Sequence, residues 1–286
     1  MRNIRVIIVA VVAAILTGCG TTSTVPITGR KQTLMVSDDQ VNSLALQQYQ
    51  QYMSQAKAST NANNTAMVKR VGQKLASAVV SFLNQNGLAE DAKQYSWEFN
   101  LVQDKQVNAW CMPGGKIVVY EGLLPVTQDE ASLAIVLGHE IAHAVAKHSA
   151  ERLSNEYKNQ VGAQILGSVL GNASATTQQL AAIVQSVGGQ LWTSGFSRSQ
   201  ESEADHMGLI FAAMAGYDPQ VATTFWQRMA AQGSGSSSIF SDHPSDATRI
   251  KQINQWMPEA LKYYKGGTPA ASKGNTTTAR SFRIGK

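Results

Sequence analysis

The residues best suited to chemistry lie in one short stretch, Leu137-Gly138-His139-Glu140-Ile141-Ala142-His143. Two histidines four apart on an α-helix stack one above the other on one face, close enough for their ring nitrogens to share a metal ion. Glu140, between them, is then placed to take a proton from a metal-activated water. The pattern points to metal-assisted hydrolysis, with His139 and His143 as ligands and Glu140 as the base. Its surroundings strengthen it: from residue 131 to 146 the only polar side chains are Ser132, His139, Glu140 and His143. A helix apolar all round is a buried one, and an unpaired carboxylate there costs several kcal/mol. A metal and its water offset that cost, whereas a solvated helix face does not account for it.

A hydrolytic zinc site takes three protein ligands and keeps one position for water. The best source of a third is the stretch 197–205, Ser-Arg-Ser-Gln-Glu-Ser-Glu-Ala-Asp, which leads into the apolar stretch 207–215. Glu201 and Asp205 are i and i+4 on one helix face, whereas Glu203 points away. Glu201 is long enough to reach the metal. Asp205, one turn on, suits a hydrogen bond from the outer ring nitrogen of a ligand histidine. The plainer account, acids complementing a helix N-terminus, explains the acidity but not the shared face. His148, five residues past His143, and His206, beside Asp205, are expected off the metal face. His243 precedes Pro244 after a Ser/Gly run at 233–238. It suits three roles: a surface loop residue, a donor to a developing oxyanion, or a fourth ligand that holds the site latent.

The elements that must position these residues follow from periodicity and punctuation. Ser37 to Gln40 forms a capping box that opens a helix toward residue 56. A second helix is expected over about 65–83, with Val68, Val71, Leu75 and Val79 on one face. Residues 97–102 alternate as a strand, and Pro113-Gly114-Gly115 makes a turn between two strand-like segments. The plainer reading of that unit is a hairpin in a small sheet. The functional one makes Lys116 to Tyr120 the edge beside the metal, to which an extended polypeptide substrate adds through main-chain hydrogen bonds. Thr127 to Glu130 reads as a second capping box, opening a metal helix from 129 to about 153. The apolar stretches 161–171 and 180–189 are too short to span a bilayer and read as a helical hairpin.

Composition narrows the alternatives. The chain has 286 residues, 43% apolar and 15% charged, which suits a substantial core of buried helices. Its net charge of +5 falls to about +3 without Arg2 and Arg5, too weak and dispersed for nucleic acid. Those arginines precede an apolar run at 6–16 of signal-peptide length, ending in Leu16-Thr17-Gly18-Cys19. This pattern resembles the bacterial lipobox, whose cysteine is lipidated. The expected organisation is a lipoprotein signal at 1–18, a tether at 19–36, a metallopeptidase domain at 37–265 and a flexible polar tail at 266–286. With Gly20 after the lipidated Cys19, the expected location is the outer membrane, facing the periplasm. Cys111, the other cysteine, then has no partner within the chain and is expected to be a small buried residue.

H-E-x-x-H followed about sixty residues later by Glu201-x-x-x-Asp205 resembles the gluzincin peptidases that include HtpX and the CAAX prenyl protease. The resemblance extends to Pro113-Gly114-Gly115, Gly122-Leu123-Leu124, His148-Ser149-Ala150-Glu151-Arg152 and Asp242-His243-Pro244 with Arg249, covering residues 28–257. With its lipobox, the chain is most similar to periplasmic lipoprotein members. The resemblance implies an α+β, mostly helical, zincin-like metallopeptidase core with a small sheet beside the H-E-x-x-H helix. It implies one zinc ion on His139, His143 and Glu201, with Asp205 as companion. The expected activity is endopeptidase cleavage of misfolded or unassembled envelope proteins, in protein quality control. The competing expectation is a lipoprotein that binds such proteins without cleaving them and uses the metal structurally.

Overall fold

The computed structural model describes residues 21–165, 177–188, 190–193, 195–231 and 247–266. Cys19, His243 and the stretch 267–286 lie outside the described residues, as does most of the apolar stretch 161–171.

Among the described residues the fold is mostly helical, with two small sheets. Strands β1 (Thr21–Thr24) and β2 (Lys31–Leu34) form an antiparallel hairpin. Helices α1 (Asp38–Gln55), α2 (Ala62–Gln85) and the short α3 (Ala89–Lys93) follow. A three-stranded sheet comes next, built from β3 (Glu98–Val102), β4 (Ala109–Met112) and β5 (Lys116–Tyr120). A 3-10 turn and α4 (Leu124–Thr127) lead into α5 (Glu130–Val145), the helix of the two histidines. The remainder is α6 (His148–Ile165), α7 (Thr177–Val187), α8 (Gln190–Thr193), α9 (Arg198–Met214), α10 (Val221–Ala231) and α11 (Ala247–Tyr263).

The three-stranded sheet separates two apolar layers. Alternate residues face opposite sides of a strand, so Ile117 and Val119 join Phe99, Leu101, Ala109 and Cys111 against α2, α5 and α9. Val118 and Tyr120 join Val102, Trp110 and Met112 against α1, α6 and α7. The sheet orders its strands β3-β5-β4, with β5 parallel to β3 and antiparallel to β4. Lys116 to Tyr120, expected as the peptide-binding edge, is therefore the middle strand. Both its edges are already hydrogen-bonded, and β4 is the edge strand that packs against α5.

α5 is buried on every side, as its composition requires: Ser132 to His143 are all buried. It is shorter than expected at both ends. Its cap is Asp129, whose side chain accepts from Ser132 N, and not Thr127. The helix stops at Val145, because Lys147 turns the backbone left-handed (φ 57°) and a new helix starts at His148. Few non-glycine residues hold that conformation. Here the Lys147 ammonium is fixed by Asp38 at 2.7 Å and Asp91 at 2.8 Å, from α1 and α3.

Residues 21–34, expected within a tether, instead form the β1–β2 hairpin packed on the body. Val25 is 1% exposed, Gln32 donates to the Ala146 carbonyl at the end of α5, and Met35 N donates to Ser154 of α6.

Candidate metal centre

Two helices assemble the site, and two glycines let them meet. A Cβ on Gly138 of α5 would stand 2.7 Å from the Gly208 carbonyl oxygen of α9, and one on Gly208 would stand 2.6 Å from His139 N. Only backbone against backbone fits at this crossing. Gly208 lies on the α9 face that carries Glu201 and Asp205, seven and three residues earlier. The close approach thus brings that acidic face onto His139 and His143.

The ligand geometry can be tested against zinc. His139 Nε2 and His143 Nε2 are 3.1 Å apart, and each lies near Glu201, at 3.4 Å and 3.5 Å from its carboxylate oxygens. Zinc bonds of about 2.0–2.1 Å at tetrahedral angles separate two ligand atoms by about 3.3–3.4 Å. His139, His143 and Glu201 are all buried and form the group of potential ligands found among the described residues. The donor set and its spacing fit a zinc ion. Glu140 is also buried, on the turn between the two histidines.

Asp205 sits behind His139. His139 Nδ1–H donates to Asp205 Oδ1 at 2.8 Å, and Arg249 Nη2 donates to the same oxygen at 2.5 Å. The Arg249 guanidinium lies 3.5 Å over the Trp226 ring, which fixes it from the far side. Burial alone would raise the Asp205 carboxyl, but Arg249 and His139 outweigh it and hold it low. Burial alone would likewise lower the His139 imidazole. Hydrogen bonds to Asp205 and Glu201 outweigh it and raise it to about 9.

His148, expected off the metal face, does lie off the ligand helix, yet the turn at Lys147 brings it back. Its Nδ1 is 2.8 Å from His143 Nδ1, and its Nε2 is 3.0 Å from Glu203 Oε2. Burial pushes the His148 imidazole below its usual range, against the pull of Glu203. Glu203 points away from the metal, as expected, and into this second network. His206 is off the site, stacked on Trp256 and bonded to Glu259. Phe196, not anticipated, stacks on His143 with centroids 4.2 Å apart; the Gly195-Phe196 pair carries no motif that singles it out. Cys111 is buried on β4, and burial with the nearby Glu140 charge pushes its thiol up. It therefore stays protonated and is a poor rival ligand.

Comparison with known proteins agrees with this geometry. The sequence pattern of Peptidase family M48 matches residues 62–257. The chain is 42% identical over 168 residues to the mitochondrial metalloendopeptidase OMA1 of Schizosaccharomyces pombe, covering 57% of this chain and 48% of that protein. It is 29% identical over 246 residues to the mitochondrial metalloendopeptidase OMA1 of Homo sapiens, covering 83% and 46%. It is 29% identical over 178 residues to the beta-barrel assembly-enhancing protease of Escherichia coli O157:H7, covering 58% and 36%. The chain spans about half or less of the length of these relatives.

Proposed function

The chain belongs to peptidase family M48, and on that footing we propose that it is a zinc-dependent endopeptidase anchored to a bacterial envelope membrane. The observation that carries this reading is the convergence of three buried ligand atoms, from α5 and α9, at the spacing a tetrahedral zinc requires. His139, His143 and Glu201 hold the ion. When bound, zinc supplies a Lewis acid that acidifies a water and polarises a peptide carbonyl.

Glu140 takes the proton of the attacking water and passes it to the departing amine. Asp205, anchored by Arg249, keeps the His139 proton on Nδ1 and leaves Nε2 for the metal. His243 is read as serving the site from the stretch 232–246, either as a donor to the oxyanion or as a latent fourth ligand. The substrate binds as an extended strand, on the β4 edge beside α5 now that β5 is enclosed.

The substrates we propose are misfolded or unassembled envelope proteins. Two features support this reading: the lipobox ending in Cys19, which suits a lipid-anchored enzyme on the outer membrane facing the periplasm, and the relative named as a beta-barrel assembly-enhancing protease. No helix among the described residues is long and apolar enough to cross a membrane, so the lipid on Cys19 is the proposed anchor.

The test is Glu140→Gln. The purified variant is expected to bind zinc as the wild type does, while casein hydrolysis falls by about 10²- to 10⁴-fold. Undiminished hydrolysis would sink the role of Glu140. A wild type that binds casein without cleaving it would favour a holding protein. In cells, the variant should be recovered from the membrane fraction with trapped envelope proteins; recovery from the soluble fraction would remove the anchor.

A further inference from the structure

His139 is braced through its outer nitrogen by Asp205 and, behind that, by Arg249. His143 has a longer set of supports on its own outer side. Its Nε2 faces His139 and Glu201, so its proton sits on Nδ1 and is donated across 2.8 Å to His148 Nδ1. The His148 proton then sits on Nε2 and is donated across 3.0 Å to Glu203 Oε2. Every step runs in one direction, from ligand to carboxylate.

Glu203 is held in turn by the N-terminal hairpin. Arg30 Nε donates to Glu203 Oε2 at 2.8 Å, and Thr28 Oγ1 donates to Glu203 Oε1. The other side of the Arg30 fork grips Glu151 of α6 through Nη1 at 2.8 Å and Nη2 at 3.0 Å. Left-handed backbone at Ile27 and Gly29 (φ 68° and 69°) makes the turn that presents Thr28 and Arg30 together. His148 is fully buried and Glu203 is 7% exposed.

We propose that His148, Glu203 and Arg30 are positioning residues for the second zinc ligand, so that the docked N-terminal hairpin is a working part of the metal site. This rests on the reading of His139, His143 and Glu201 as the ligands. A ligand histidine whose outer nitrogen is held in one tautomer and one ring orientation binds metal more tightly, and loss of such a partner costs about 10- to 100-fold in affinity. The two ligands are thus braced alike, each through a carboxylate paired with an arginine. The His143 brace differs in two ways: a second imidazole is interposed, and its arginine comes from the first described loop of the chain.

Zinc affinity, read by competition with a chromogenic chelator, separates this role from general support of the fold, read by the thermal midpoint of the metal-free protein. His148→Ala is expected to weaken zinc binding about 10- to 100-fold. Arg30→Ala should weaken it less, and the double variant little more than His148→Ala alone, because both act through one path. His148→Asn, whose Oδ1 takes the place of the accepting Nδ1, should recover part of the loss. Gly72→Ala, whose Cβ would meet the Phe99 ring in the core away from the ligands, should lower the thermal midpoint and leave zinc affinity unchanged.

Unchanged affinity in His148→Ala overturns the inference, as does an equal loss in Gly72→Ala. Unchanged affinity in Arg30→Ala removes the hairpin from the site. A wild type that takes up no zinc would remove the reading of the ligands themselves, and the inference with it.

Discussion

Glu203 is a carboxylate buried where burial alone would raise its pKa. Hydrogen bonds from His148, Thr28 and Arg30 outweigh that and hold it at about 2, against an ordinary value of 4.5. A carboxyl depressed on folding contributes stability that is complete above its unfolded value and is lost as pH falls toward its folded value. Its contribution is therefore present above about pH 4.5, fades between there and about pH 2, and amounts to about 3 kcal/mol at most. Urea unfolding of the metal-free protein from pH 6 to 2 should show this loss, and Glu203→Gln should flatten it. An identical slope in the variant would mean that acid attacks the fold elsewhere. This residue also marks where reading from spacing stopped. That Glu203 faces away from Glu201 and Asp205 was legible from helical period; that its other side meets Arg30 and His148 was not, because those contacts join residues 173 and 55 positions apart.

The crossing of α5 on α9 decides whether the ligands meet at all. Gly208→Ala puts a methyl against the His139 backbone, where no flexible side chain can yield, so the helices must separate. The expected cost is about 1–3 kcal/mol with a marked loss of zinc affinity. Gly72→Ala is the control: its Cβ, on α2, would meet the Phe99 ring of β3, at 2.1 Å, in the same core but away from the ligands. It should destabilise the fold without weakening zinc beyond what stability explains. Equal zinc affinity in Gly208→Ala and the wild type would show that the spacing of the two helices is not limiting. Helices α1, α2 and α9 were legible because the α1 capping box and the faces of all three are local signals, although the Asn61 and Ser197 caps were not anticipated. The end of α5 was not, since Lys147 lacks the chemistry of a usual left-handed residue and is held there by Asp38 and Asp91. The place of β5 in the sheet was equally hidden. The Pro113-Gly114-Gly115 turn and the β-branched run after it show that Lys116 to Tyr120 is strand-like, but its parallel pairing with β3 depends on the path of the whole chain.

For the molecule as a whole, a metal that binds only the folded state stabilises it by mass action, about 4 kcal/mol when zinc is a thousandfold above its dissociation constant. For a chain of this size that is on the order of 10 °C in thermal midpoint. Calorimetry with and without a chelator should show that drop, and equal midpoints would mean that the ion contributes little to holding α5 and α9 together. The overall class, mostly helical around a small sheet, was legible because it rests on local signals summed over many residues. The docking of residues 21–34 was not: a polar stretch with Pro26 and Gly29 reads as tether until Glu151 and Glu203 are seen beneath Arg30.

That docking has a consequence for the order in which the protein is made. The supports of the two histidines span residues 28 to 249, with Thr28 and Arg30 among the first described residues and Arg249 in the last described helix. A ribosome delivers the hairpin early, but it has nothing to grip until α6 and α9 appear, and Asp205 waits longer still for its arginine. The metal centre therefore stays unfinished until residue 249 has been delivered, because its supports close around the ligands only when both the hairpin and α11 are present.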